Sequence, residues 1–137
     1  MKVMAIDLGD VRTGVALSDV TGFLAGRSVT ITQRDHNKLL EELLGIIEAE
    51  KPGEIVLGLP INMDGSVGPR AEKSRVFGAR LEQASGLPVK YMDERGTSVT
   101  ANRILSDAGK KRGKQRARVD AVAAAIILQS YLDSRPR

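Results

Sequence analysis

Three acidic residues stand where packing alone gives little reason for an acid. Asp7 closes the apolar run Val3-Met4-Ala5-Ile6 and, on strand alternation, shares a face with Val3 and Ala5. Glu94 follows the run Val89 to Met92 at a strand-to-helix junction, a position that α/β sheets use as a site edge. Asp120 falls on a helical stripe with Ala124, Ile127, Leu128 and Tyr131, which the period otherwise reserves for packing. A carboxylate on such a stripe needs a cation, a donor set or a raised pKa. Each acid also has an ordinary reading: Asp7 as a turn former, and Glu94 and Asp120 as partners of a helix dipole. Brought to one sheet edge, the three would make an all-oxygen site for a hard cation such as Mg²⁺ or Mn²⁺. Two such ions ~3.5–4 Å apart clamp the attacking and leaving oxygens of a phosphoryl displacement.

The rest of the composition fits oxygen chemistry. The chain has no cysteine, which excludes disulfides, thiol nucleophiles and Cys-ligated zinc. Its single histidine, His36, precedes a helical segment and is expected at the surface. Lys110-Lys111-Arg112-Gly113-Lys114-Gln115-Arg116-Ala117-Arg118 carries six basic residues and no acid, more than the whole-chain net charge of +4. The remainder is therefore slightly acidic, and the positive charge is localised, as a phosphate backbone requires. With Gly109 and Gly113 in it, residues 109–118 are expected as a mobile basic loop that orders on binding. Two tyrosines and two phenylalanines offer little for base stacking, so recognition would rest on backbone and shape.

The elements that must position these groups follow from period and punctuation. Val3 to Leu8, Arg12 to Ser18 and Arg27 to Thr32 read as three strands whose short connections favour an antiparallel meander. Leu39, Leu40, Leu43, Leu44, Ile46 and Ile47 recur at helical spacing, with Asp35 as N-cap and Lys51-Pro52-Gly53 as the stop. Glu54 to Leu59 reads as a strand buried on both faces, followed by a long loop through Gly68. Pro69 opens a second helix with an apolar stripe of Phe77, Leu81 and Ala84, basic outside at Arg70, Lys73, Arg75 and Arg80. It ends at Gly86, before a fifth strand over Val89 to Met92; Ser98 to Ala108 and Val119 to Asp133 read as the last helices. This is one α/β domain over residues 1–137, with a five-stranded mixed sheet, a meander plus two parallel strands, flanked by helices. The longest uncharged run, Ala121 to Leu132, is short of the ~20 residues that span a bilayer, and a cytoplasmic setting without membrane association is expected.

Four motifs resemble the YqgF family of RNase H-like, Holliday-junction-resolvase-like nucleases: Ile6-Asp7-Leu8-Gly9 with Arg12 and Gly14, Gly58-Leu59-Pro60 with Asn62-Met63-Asp64-Gly65, Asp93-Glu94-Arg95 with Thr97-Ser98, and Val119-Asp120 with Ala123-Ala124. They occur in order across essentially the whole chain. The resemblance implies an RNase H-like fold and a divalent-metal endonuclease in a bacterial cytoplasm, with Asp7, Glu94 and Asp120 as metal-binding catalytic acids. It implies phosphate contacts from Arg12, Asn62, Arg95, Thr97 and Lys114, joined by Lys110, Lys111, Arg112, Arg116 and Arg118 of the basic run. Gly96 departs from the family, which usually has an apolar residue there, and leaves the acids in place.

The expected activity is phosphodiester hydrolysis on structured nucleic acid, with the 5′ end of precursor 16S rRNA preferred and the ribosomal subunit as a further partner. A four-way DNA junction and a non-catalytic nucleic-acid-binding module are the alternatives. An actin-like or sugar-kinase ATPase, which Asp7-Leu8-Gly9 with Thr13-Gly14 also resembles, would need a second phosphate loop and a second domain that 137 residues do not hold. Monomer and homodimer are both open.

Overall fold

The computed structural model describes residues 1–22, 24–61, 64–93 and 112–135. Strands β1 (Val3–Asp7), β2 (Arg12–Ser18) and β3 (Ala25–Thr32) form the antiparallel meander. Helix α1 (His36–Glu50), strand β4 (Glu54–Leu59), helix α2 (Pro69–Ser85) and strand β5 (Val89–Asp93) follow, and helix α3 (Arg112–Ser134) closes the order. The sheet runs β3-β2-β1-β4-β5, with β4 parallel to β1 and β5 parallel to β4.

Strand alternation divides the core in two. Met4, Ile6 and Leu8 point to one face, where Leu39 and Leu43 of α1 and Phe77 and Leu81 of α2 cover them. Val3 and Ala5 point to the other and meet Ala124, Ile127, Leu128 and Leu132 of α3. Ala5, Ala16 and Ala124 are all fully buried in that second layer, and their small side chains bring the helix close to the sheet. Strand β4 is buried along its whole length, as expected for a strand covered on both faces.

The helix ends are set by chemistry visible in the chain. The Asp35 carboxylate accepts from the N–H groups of Asn37 (2.8 Å) and Lys38 (3.4 Å), capping α1. Lys51 ends α1 in the left-handed conformation, its N–H donating to Ile47 O at 2.8 Å. Pro69 opens α2, and Gly86 (φ 74°) ends it.

Several expectations are corrected. Residues 112–118 of the expected mobile loop are helical in α3, while 109–111 lie outside the described residues; Lys, Gln, Arg and Ala are strong helix formers, and Gly113 is the one weak position in 112–118. Ala84 is exposed: the buried face of α2 runs through Ala71, Ser74, Phe77, Gly78 and Leu81, rotated toward small residues that sit close to the sheet. His36, expected at the surface, is half-buried. The expected helix over Ser98 to Ala108 lies outside the described residues. Among the described residues, no helix is long and apolar enough to cross a membrane.

Candidate active site at the carboxyl edge of the sheet

Because β1, β4 and β5 are parallel, their last residues share one edge. Asp7 ends β1, half-buried, on the side of Val3 and Ala5 that faces α3. Its antiparallel partner is Gly14, which has no side chain to fill the space beside it. Met92 pairs with Gly58, and Asp93 with Leu59, so the end of β5 lies two strands from β1, about 10 Å across the sheet. Glu94 follows Asp93 directly and lies outside the described residues.

Helix α3 runs opposite to β1 and β4. Near its C-terminus, Tyr131 Oη and Arg135 Nη1 donate to the same oxygen of Glu54, at 3.0 and 2.7 Å, where β4 begins. Gln129 Oε1 accepts from the N–H of Ala25, at the start of β3 (3.0 Å). Asp120 precedes Tyr131 by eleven residues, about 16 Å along the axis. Glu54 to Leu59 spans about the same length of strand. The backbone at Asp120 is therefore level with the sheet edge that carries Asp7, one turn above Ala124.

The β1–β2 turn under Asp7 is tightly held. A Cβ on Gly9 would run into the carbonyl oxygen of Arg12, so only glycine fits there. Gly9 N–H donates to Thr13 Oγ1 at 3.3 Å, and Gly9 O lies 3.2 Å from His36 Nε2. The His36 ring packs edge-on to Phe77, with centroids 5.5 Å apart, which explains why this histidine leaves the surface. At the tip of the turn, Asp10 pairs with Lys73 of α2 at 2.9 Å. The Lys73 hydrogen bond and charge hold the Asp10 carboxyl below its ordinary value, and Arg70 adds to the effect. Sequence reasoning missed both the His36 and the Lys73 contacts, which join residues 27 and 63 positions apart.

Arg12 opens β2 at this same edge, half-buried and opposite Thr32. Arg112, Lys114, Arg116 and Arg118 occupy the first two turns of α3, which has no acid in its first turn. Asn62, Arg95, Thr97, Lys110 and Lys111 lie outside the described residues. Among the described residues no three His, Cys, Asp or Glu side chains form a metal-ligand group; the expected trio draws on Glu94. Its donor set is all carboxylate, which fits a hard divalent cation.

The family described as "RuvX: Holliday junction resolvase" matches residues 1–134. A protein of Halothermothrix orenii named "Putative pre-16S rRNA nuclease" is 44% identical over 133 residues, covering 97% of this chain and 95% of its own. Among solved structures, Thermus thermophilus RuvC in complex with a Holliday junction substrate superposes with a TM-score of 0.61 at 12% identity, over 98% of this chain and 97% of that one. The fowlpox virus resolvase complex with Holliday junction DNA gives a TM-score of 0.62 at 12% identity, covering 98% of each chain. At such identities the likeness establishes the fold, which is RNase H-like as the motifs implied.

Proposed function

Because the chain belongs to the RuvX (YqgF) family and is a nuclease of RNase H-like fold, we propose that it hydrolyses phosphodiester bonds with divalent metal at the carboxyl edge of its sheet. The observation that carries this reading is Asp7, a half-buried acid at the end of the central strand, with the Asp120 position of α3 level with it. Asp7, Glu94 and Asp120 would hold Mg²⁺ or Mn²⁺, which when bound supplies Lewis-acid stabilisation to the attacking and leaving oxygens.

The protein's own groups do the remaining work. Gly9, Thr13 and His36 fix the turn that follows Asp7, so its carboxylate is presented without a large reorganisation. Arg12 is at the same edge, where a guanidinium can take a phosphate in two-pronged fashion. Arg112, Lys114, Arg116 and Arg118 concentrate positive charge in one stretch of the chain, which a bound polyanion neutralises. Asn62, Arg95, Thr97, Lys110 and Lys111 extend the phosphate contacts.

The substrate in this reading is precursor 16S rRNA, cut near its 5′ end in the cytoplasm. The similarity to the relative named for that activity, over nearly the full length of both chains, supports it. The test is a side-by-side cleavage assay of wild type and Asp7→Asn, with Mg²⁺ and then Mn²⁺, on a 16S precursor 5′ segment and a synthetic four-way DNA junction. The expected result is metal-dependent cutting of the RNA by wild type alone. Undiminished cutting by a folded Asp7→Asn protein overturns the mechanism, and cutting of the junction in place of the RNA overturns the substrate.

A further inference from the structure

Helix α2 carries a cationic tip that the catalytic reading does not use. Phe77 packs on His36, the first residue of α1, yet α2 begins eight residues earlier at Pro69, about 12 Å further along its axis. Its first two turns therefore overhang the start of α1, beside the β1–β2 turn that follows Asp7. Arg70, Lys73 and Arg80 fall within roughly 80° of one another around the helix, on the flank turned to that turn and to α1. Two contacts fix this orientation: Lys73 with Asp10, and Arg80 Nη2 donating to Asn37 Oδ1 at 2.6 Å. The other flank, toward β5, carries Arg75 and Glu82, and there Tyr91 Oη donates to the Arg75 carbonyl.

The Lys73–Asp10 pair is unusual in being so open. The two side chains are 57% and 71% exposed, so water competes for both ions and the pair contributes little to stability. A phosphate arriving at Lys73 would replace a weak partner with a stronger one and leave Asp10 to solvent. Arg70 and Arg80 are separated by about 15 Å of helix, along which a duplex presents roughly four phosphates per strand at ~3.4 Å of axis each.

We infer that the α2 flank of Arg70, Lys73 and Arg80 is a second phosphate-backbone track, which grips a duplex arm of the nucleic acid leaving the Asp7 edge, with Asp10 standing in for a phosphate until that arm binds. The inference rests on the nuclease reading above. The duplex would be held on both faces of the sheet, by the start of α3 on one side and by α2 on the other. Recognition here is of backbone charge, without base contacts.

The test is equilibrium binding by fluorescence anisotropy in EDTA, so that nothing is cut, with a labelled RNA stem–loop and a labelled DNA hairpin across a salt series. Arg70→Gln/Lys73→Gln/Arg80→Gln is expected to lower the slope of log K against log salt by two to three, at ~0.9 per lost phosphate contact. Asp10→Asn is expected to tighten binding several-fold, a change of sign that general loss of structure cannot produce. Arg75→Gln/Lys90→Gln, on the other flank and on β5, is expected to leave the slope near that of wild type. An effect on one probe alone would identify that duplex as the source of the phosphates. A triple-variant slope within about half a unit of wild type, an equal fall for the control pair, or weaker binding by Asp10→Asn overturns the track while leaving the nuclease reading standing. Failure of wild type to bind either probe overturns the track, and the cleavage assay above then decides the nuclease reading on its own.

Discussion

The buried corner at Glu54 offers the sharpest test of how α3 is held. Glu54 has a 9% exposed side chain and accepts from both Tyr131 and Arg135, while Arg135 is 28% exposed and lies over the Tyr131 ring at 5.7 Å. Glu54→Ala removes two hydrogen bonds to a carboxylate, one of them from a guanidinium, and a buried methylene. Breaking a fully buried pair costs about 3–5 kcal/mol, but the partly open guanidinium recovers some hydration, so the bonds are worth about 2 kcal/mol here. The methylene adds about 0.8 kcal/mol. At ~2.1 cal/mol/K per residue, unfolding 137 residues carries about 0.29 kcal/mol/K, so each kcal/mol moves Tm by about 3.5 °C. Thermal melting by circular dichroism should therefore show Glu54→Ala about 10 °C below wild type and the isosteric Glu54→Gln about 3–4 °C below. Amide exchange should quicken in the last turns of α3 and stay unchanged in α1. Burial, and then the hydrogen bond to Glu54, raise the Tyr131 phenol above its ordinary value. The neutral phenol's contribution is thus present below that ordinary value and fades as pH climbs through the raised one, and Glu54→Gln should bring the titration down. A Glu54→Ala protein melting within 2 °C of wild type would refute the view that this corner fastens α3 to β4.

Two further outcomes follow from the same geometry. Gly9→Ala forces its Cβ toward the Arg12 carbonyl, so the turn after Asp7 must move; we expect a cost of about 1–3 kcal/mol in melting and a fall in cleavage of more than tenfold, measured on the same preparation. Hydrogen bonds from Arg27 (2.6 Å) and then Lys2 (3.2 Å) lower the Glu50 carboxyl, so its contribution is present at neutral pH and lost as pH falls from the ordinary glutamate value through the lowered one. In Arg27→Ala the Glu50 titration, followed by carbon-13 NMR, should return toward the ordinary value; an unmoved titration would show that the pair does not form in solution.

Much of this architecture could be read from the chain because the signals were local. The alternation Val3, Ala5, Asp7 against Met4, Ile6, Leu8 assigned the two faces of β1, and it put Asp7 on the side where α3 packs. Asp35, Pro69 and Gly86 marked helix ends through backbone groups within a few residues. What stayed hidden depended on distant partners or on competing local signals. Residues 112–118 looked like a loop because the two glycines and six cations of 109–118 outweighed good helix formers in the reading. Ala84 looked buried because Phe77 and Leu81 suggested a stripe through it, whereas the close packing of Gly78 on Leu57 and Tyr91 turns the helix toward its smaller residues. His36 gave no sign of its carbonyl partner, since Gly9 is 27 positions away. Of the candidate acids, Asp7 stands out by strand period, Asp120 by helix period, and Glu94 by its place after a strand and the motif around it; only the first has a described side chain.

The docking of α3 on the meander also bears on when the protein can act during its own synthesis. The helix packs against β1, β2 and β3, which leave the ribosome 80 or more residues earlier. At ~5–20 residues per second, Asp7 is made about 6–23 s before Asp120. Until Tyr131 and Arg135 have emerged and reached Glu54, the helix has no anchor at the far end of the sheet. On the proposed reading, an incomplete chain on a ribosome surrounded by RNA holds the first acid without the last, and is harmless to it. On that reading, the seam between α3 and the meander sets the moment at which the edge is complete: only once the helix has been made and has docked.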